Sequence, residues 1–203
     1  MSGRTTPSQT VGPFFSIGFA WLERTDLNGP SDEGSRVKIR GQVIDGAGEP
    51  VPDALLEIWQ ADAEGRYAHP EDAADRMTAN HFFGFGRVPV NQNGEFQFTT
   101  IKPGCVPAAS GKPQAPHLVV SVFMRGLLRR LVTRVYFPGE PANESDPVLA
   151  SVPASRRHTL IALVDNSCGC AEHRCDQMNA ANTETLLWDV HLQGDNETVF
   201  FDL

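Results

Sequence analysis

Short strand-like runs, spaced by turn signatures, recur from residue 37 onward, with no convincing long helix among them. Residues 37–45 set Val, Ile, Gly and Val against Lys, Arg, Gln and Ile, the alternation of a half-buried strand. Asp45-Gly46-Ala47-Gly48-Glu49-Pro50 follows, a turn by composition. Residues 54–60 read as the next strand, central in its sheet, and Asn91-Gln92-Asn93-Gly94 is a turn leading into a strand at 95–101. Further strands are expected at 118–123, 130–137, 159–165, 186–193 and 198–202, with 146–155 a short helix or coil. Residues 81–93 read as loop, although Phe82, Phe83 and Phe85 suggest that it packs down. About eight strands spaced by turns argue an all-β chain folded as a β-sandwich with long loops. A length of 203 residues with 40% hydrophobic content suits a single domain over 1–203.

Charge and hydropathy narrow the function classes. A net charge of −8 opposes nucleic-acid binding, which calls for clustered Lys and Arg. No run of eighteen apolar residues is present, so no membrane span is expected. The N-terminus lacks the basic, apolar and small-residue succession of a secretory signal, which places the expected location in the cytoplasm. The cluster Arg156-Arg157-His158 is expected to be solvated, as are Arg129, Arg130 and Arg134 unless an interface uses them. His69, His81, His158 and His191 have no partner pattern and read as surface or packing residues.

Residues 6–19, Thr-Pro-Ser-Gln-Thr-Val-Gly-Pro-Phe-Phe-Ser-Ile-Gly-Phe, combine two prolines and two glycines with apolar Phe14, Phe15, Ile17 and Phe19. The first set opposes a regular helix or an interior strand, and the second needs burial. An extended N-terminal arm over 1–20, docked on another surface, satisfies both.

Two stretches could carry chemistry. Between the strands at 95–101 and 118–123 runs a loop rich in proline and glycine, with His117 at its far end. Such loops on a rigid sheet are where binding groups are held. Cys168, Cys170 and Cys175 crowd together with His173 between them, which allows a Cys3His zinc site, a disulfide or free thiols. The spacing, one residue and then four, is unlike the two separated ligand pairs of the usual structural zinc site.

The loop and its surroundings resemble the intradiol ring-cleaving dioxygenases, and within them the protocatechuate 3,4-dioxygenases. Their iron-binding members carry Pro-Gly-Pro-Tyr-Pro-Trp and then Pro-His-Ile-His-Phe, whose tyrosine and two histidines hold a ferric ion. A second tyrosine, in Trp-Gln-Ala-Asn/Asp-Ala-x-Gly-Arg/Glu-Tyr, completes the ligand set. Here the frames read Pro103-Gly104-Cys105-Val106-Pro107-Ala108, Pro116-His117-Leu118-Val119-Val120 and Trp59-Gln60-Ala61-Asp62-Ala63-Glu64-Gly65-Arg66-Tyr67. The four ligand positions thus fall on Tyr67, Val106, His117 and Val119, two of which have no donor. The only other tyrosine, Tyr136, lies within an expected strand, away from the loop. Thr6-Pro7-Ser8-Gln9-Thr10-Val11-Gly12-Pro13-Phe14 and the ending Glu197-Thr198-Val199-Phe200-Phe201-Asp202 also match, the latter the family's iron-free subunit.

The resemblance implies an iron-free alpha-type subunit with no catalytic residue or metal of its own. It would pair with a homologous beta chain that holds Fe(III), in a complex of several alpha–beta heterodimers. Carried over, Thr10, Gly12 and Pro13 line the partner's substrate pocket, and Arg125, in Phe-x-Arg-Gly, faces the carboxylate of a small aromatic acid. A guanidinium is a preformed fork for that group. Two alternatives stay open: a non-catalytic sandwich module binding a small aromatic ligand, and a zinc protein built on the cysteine cluster.

Overall fold

The computed structural model describes residues 6–12, 14–29, 34–70, 82–107, 111–166 and 183–202. Among them nine strands form two sheets: β1 (Arg36–Ile44), β2 (Leu55–Trp59), β3 (Phe85–Pro89), β4 (Glu95–Ile101), β5 (His117–Phe123), β6 (Leu131–Tyr136), β7 (Leu163–Val164), β8 (Glu184–Leu187) and β9 (Val190–His191). One sheet runs β4-β1-β8-β7, with β9 beside the end of β1; the other runs β3-β2-β5-β6 and is antiparallel throughout. Among the described residues no helix is long and apolar enough to cross a membrane.

The alternation of side chains along each strand decides what lies between the sheets. Val37, Ile39 and Val43 of β1, Phe96 and Phe98 of β4 and Leu186 of β8 meet Leu56, Ile58, Leu118, Val120, Val122 and Val135 of the second sheet in one buried cluster. The residues in between, including Trp59, His117, Val119, Arg134 and Tyr136, therefore stand on the outer face of the second sheet. A smaller cluster of Ala115, Tyr136, Leu149, Val152 and Leu160 covers one end of that face. Its cover is a short helix at Pro147–Ser151, flanked by 3-10 turns at Pro141–Glu144 and Ala154–Leu160. Asp146 starts the helix by accepting from the amides of Val148 (2.9 Å) and Leu149 (2.6 Å), with Pro147 at the first helical position.

Several elements differ from the sequence expectation. Residues 6–12 have no regular structure, but a short helix then runs over Phe14–Phe19, where none was expected. Phe15 and Phe19, four apart, share a helix face. Their rings lie 5.0 Å from each other, and Phe15 lies 5.4 Å from Phe123, so burial on the sheet outweighs the poor helix propensity. β3 replaces an expected loop; its Pro89 is tolerated because β3 is an edge strand. Only Leu163–Val164 of the strand expected at 159–165 forms, because Thr159 belongs to a 3-10 turn, its hydroxyl bonded to the Arg156 carbonyl at 2.9 Å.

The run at 186–193 divides into β8 and β9. Asp189 leaves the ladder to accept the Gln42 amide at 2.9 Å, and a side chain at Gly41 would meet the Trp188 carbonyl. Residues 198–202 contribute a single bridge, Phe201 to Val132, in place of a strand. Arg156 and Arg157, expected to be solvated, are tied down instead. Arg156 bonds the Glu197 carbonyl at 2.7 Å, and Arg157 bonds the Val152 and Ala150 carbonyls at 2.9 and 3.0 Å, closing the end of the Pro147–Ser151 helix.

Candidate functional site

The strand registers place one row of side chains across the outer face of the second sheet. Trp59 of β2 is opposite Val119 of β5, which is opposite Arg134 of β6; His117, two residues before Val119, is opposite Tyr136. Tyr67 stacks on Trp59 at one end of the row, with ring centroids 5.7 Å apart and planes 9° from parallel. Val106 joins from the loop by pairing its backbone with Gln114 at 3.0 and 2.8 Å. The four positions singled out in the sequence are thus gathered around one face, and Tyr136, expected away from the loop, is beside His117 with ring centroids 5.8 Å apart. Cross-strand register, which spacing along the chain does not show, brings it there.

Local sequence explains how this frame is held. Buried Gln60 accepts from the Thr100 hydroxyl at 2.7 Å and donates to the Ile101 carbonyl at 3.0 Å, tying β2 to the other sheet. Buried Asp62 accepts from the Glu64 and Arg66 amides (3.0 and 2.9 Å) and from the Arg66 guanidinium (3.1 Å), which fixes the turn before Tyr67. Gly65, at φ +78°, lies against the loop so closely that a Cβ would be 2.0 Å from the Cys105 carbonyl.

The electrostatics around His117 and Tyr136 are set mainly by burial and by the Arg134 charge. Arg134 Nη1 donates to Gln114 Oε1 at 2.6 Å and to the Tyr136 hydroxyl at 3.5 Å. Tyr136 in turn donates to Asp146 Oδ1 at 3.1 Å, and Asp146 Oδ2 accepts the Ala115 amide at 2.7 Å. Burial holds the Tyr136 hydroxyl protonated well above its usual range. Burial, reinforced by the Arg134 charge, pushes His117 down to about 4. His117 Nδ1 lies 2.7 Å from the Ala115 carbonyl, a pure acceptor, so the neutral ring carries its proton on Nδ1.

These residues do not fit a ferric ion. Such an ion needs several anionic or imidazole donors converging on one point. Val106 and Val119 have no lone pair, Tyr136 is protonated, and Arg134 adds a positive charge at the cross-strand position of Val119. Among the described residues no group of three His, Cys, Asp or Glu could hold a metal ion. The cysteine cluster of Cys168, Cys170, Cys175 and His173 lies outside the described residues, as does Pro13.

The other described candidate residues lie at one end of the same sheet. The amide of Gly126 donates to the Thr10 hydroxyl at 2.7 Å, which fastens the N-terminal segment to the turn between β5 and β6. Gly12 follows, its carbonyl accepting the Phe15 amide at 3.0 Å. Arg125, neighbour of Gly126, is ion-paired to Asp53 through its Nε and keeps 59% of its side chain exposed. A small hollow of 120 Å³ lies between segment and turn, lined in part by Val11, Phe123, Met124 and Leu127. Asp53 escaped sequence reasoning, because a carboxylate 72 residues before its partner leaves no spacing signal.

A larger hollow of 750 Å³ crosses the outer face of the first sheet, among Lys38, Arg40, Asp26, Glu95 and Asp189. Its charges alternate in sign, and Arg40 is paired with Asp165 at 2.5 Å, so it presents a solvated polar face without a convergent set of groups.

Comparison with known proteins gives a consistent result. A family model described as Dioxygenase matches residues 11–194. The protocatechuate 3,4-dioxygenase alpha chain of Burkholderia cepacia is 39% identical over 98% of each chain, and that of Pseudomonas putida 40% identical over 97% of this chain and 96% of its own. The beta chain of the Burkholderia cepacia enzyme is 39% identical over 64% of this chain and 56% of its own. Among solved structures, the dioxygenase domain of a dioxygenase carbohydrate-binding protein fusion from Streptomyces sp. SirexAA-E superposes with a TM-score of 0.59. It is 26% identical, over 98% of this chain and 96% of that one.

Proposed function

The chain belongs to the dioxygenase family, beside the alpha chains of protocatechuate 3,4-dioxygenase, and we propose that it works as the iron-free subunit of such an enzyme. Its partner is a homologous beta chain that carries the Fe(III), and the two assemble as multiple alpha–beta heterodimers. The complex opens protocatechuate between its two hydroxyl-bearing carbons and inserts both oxygen atoms of O2, giving 3-carboxy-cis,cis-muconate. One observation carries the reading: the ligand frame persists on one sheet face, where positions 106 and 119 are valines without a donor atom and the Arg134 guanidinium stands across from Val119.

In this reading the whole chain is one sandwich unit in the cytoplasm, and residues 1–20 are its interface arm. Thr10, Gly12 and Pro13 line the partner's substrate pocket, and Arg125 binds the ring carboxylate of protocatechuate. Two features support the assignment: the bond between Thr10 and Gly126, which sets the arm beside Arg125, and the exposure of that arginine. A charge-assisted guanidinium–carboxylate contact contributes about 1.5–3 kcal/mol.

The test is metal content and visible absorption, first of this chain purified alone, then of the complex with a beta-type chain. Colourless protein alone and a coloured, ring-cleaving complex are expected. Stoichiometric ferric iron with a tyrosinate band in the isolated chain would overturn the assignment. Within the complex, Arg125→Ala should raise KM for protocatechuate about tenfold or more while the iron stays bound.

A further inference from the structure

Asp53 closes the connection before β2 and Arg125 stands in the turn after β5, on neighbouring strands of one sheet. One carboxylate oxygen, Asp53 Oδ2, accepts from Arg125 Nε and lies 3.4 Å from the Arg125 backbone amide. On the other side of the turn, the Gly126 amide is held by Thr10. Arg125 is therefore gripped at its backbone, at its Nε and through its neighbour. The Asp53 side chain is 22% exposed against 59% for Arg125, so the carboxylate is the more buried partner of the pair.

A guanidinium can engage one carboxylate through Nε and still offer its terminal nitrogens to a second. An arginine on an exposed turn would otherwise spend its rotamer freedom each time it bound an anion. Fixing it beforehand removes that cost from binding.

We infer that Asp53 is a positioning residue for the substrate carboxylate: by gripping Arg125 at Nε it holds the guanidinium ready, and so selects ring substrates that bear a carboxylate. This rests on Arg125 being the carboxylate-binding group. The alternative chemistry has the opposite sign. If Asp53 were only a competing anion, its removal would strengthen binding of an anionic substrate.

The experiment compares kcat/KM for protocatechuate and for catechol, which lacks the carboxylate, in the alpha–beta complex carrying Asp53→Asn, Asp53→Glu, Arg125→Gln or both Asp53→Asn and Arg125→Gln. Asp53→Asn should lower the protocatechuate-to-catechol ratio roughly fivefold or more, through KM. Asp53→Glu should recover part of the loss, and the double variant should fall no further than Arg125→Gln alone. A rise in protocatechuate affinity in Asp53→Asn, or an equal fall for both substrates, would overturn the inference. A ratio unmoved by Arg125→Gln would instead remove the role given to Arg125. Should Asp53→Asn fail to assemble, Asp53→Glu carries the test, and an unchanged ratio there with a longer carboxylate arm would count against positioning.

Discussion

Buried at the start of β5, His117 has a folded-state pKa near 4 against an ordinary value of 6.5, because burial and the Arg134 charge both oppose its protonation; the hydrogen bond to the Ala115 carbonyl and the Asp146 charge pull more weakly the other way. The unfolded chain therefore binds a proton between those values that the folded chain refuses. Stability from this group is fully present above pH 6.5 and is lost as pH falls toward 4. The loss by pH 5 should be about 2 kcal/mol for a shift of this size. Urea unfolding of wild type and His117→Gln at pH 7 and pH 5 measures it. The wild type should lose more stability between the two pH values than the variant does, whatever the variant's starting point. Equal losses would mean that His117 ionises freely in the folded chain. The same residue shows what a sequence can convey at this scale. The frame Pro116-His117-Leu118-Val119 marks the position, but the partners Tyr136 and Arg134 arrive through β6, so their involvement had no trace in local spacing.

At the scale of elements, legibility followed periodicity. β1 and β4 alternate apolar and polar residues, β2, β5 and β6 are short runs rich in apolar residues, and the boundaries of all five fall within a residue of those expected. β3 was hidden by Gly86 and Pro89, which read as loop until an edge position accommodates them. The Phe14–Phe19 helix was hidden because its cause is the docking of Phe15 and Phe19 on the sheet, a tertiary effect that overrides local propensity. The turn before Tyr67 lay between these cases. Its glycine was visible in the sequence, but the need for it comes from backbone packed on backbone. Gly65 holds φ at +78° with the Cys105 carbonyl where a Cβ would stand. Gly65→Ala should therefore destabilise the chain by about 1–3 kcal/mol or more, since strain and collision add. Thermal unfolding would register it as a lowered midpoint. An unshifted midpoint would show that the 62–67 turn and the 103–107 loop can part without cost.

For the whole molecule, the N-terminal segment has two faces with different fates. Phe15 and Phe19 turn inward, and Arg87 lies 4.9 Å from the centre of the Phe19 ring. Phe14, Ile17 and Trp21, three and four residues apart, turn outward and are 78, 68 and 80% exposed. Three large apolar groups in register on one side of a short helical stretch are more than a solvated surface tolerates without purpose. If residues 1–20 form the interface arm proposed above, this stripe is the apolar surface that the arm offers to the beta chain, with Thr10 anchoring the segment just ahead of it. Large aromatic side chains at such centres carry most of the binding energy. Ile17→Ser with Trp21→Ser should then weaken association with the beta chain about tenfold or more, read by sedimentation of the mixed chains at decreasing concentration. The isolated variant should keep its thermal midpoint, because neither side chain packs on its own sheet. Unchanged association would move the contact elsewhere, with Leu128 at the β5–β6 turn (62% exposed) the next apolar group to test.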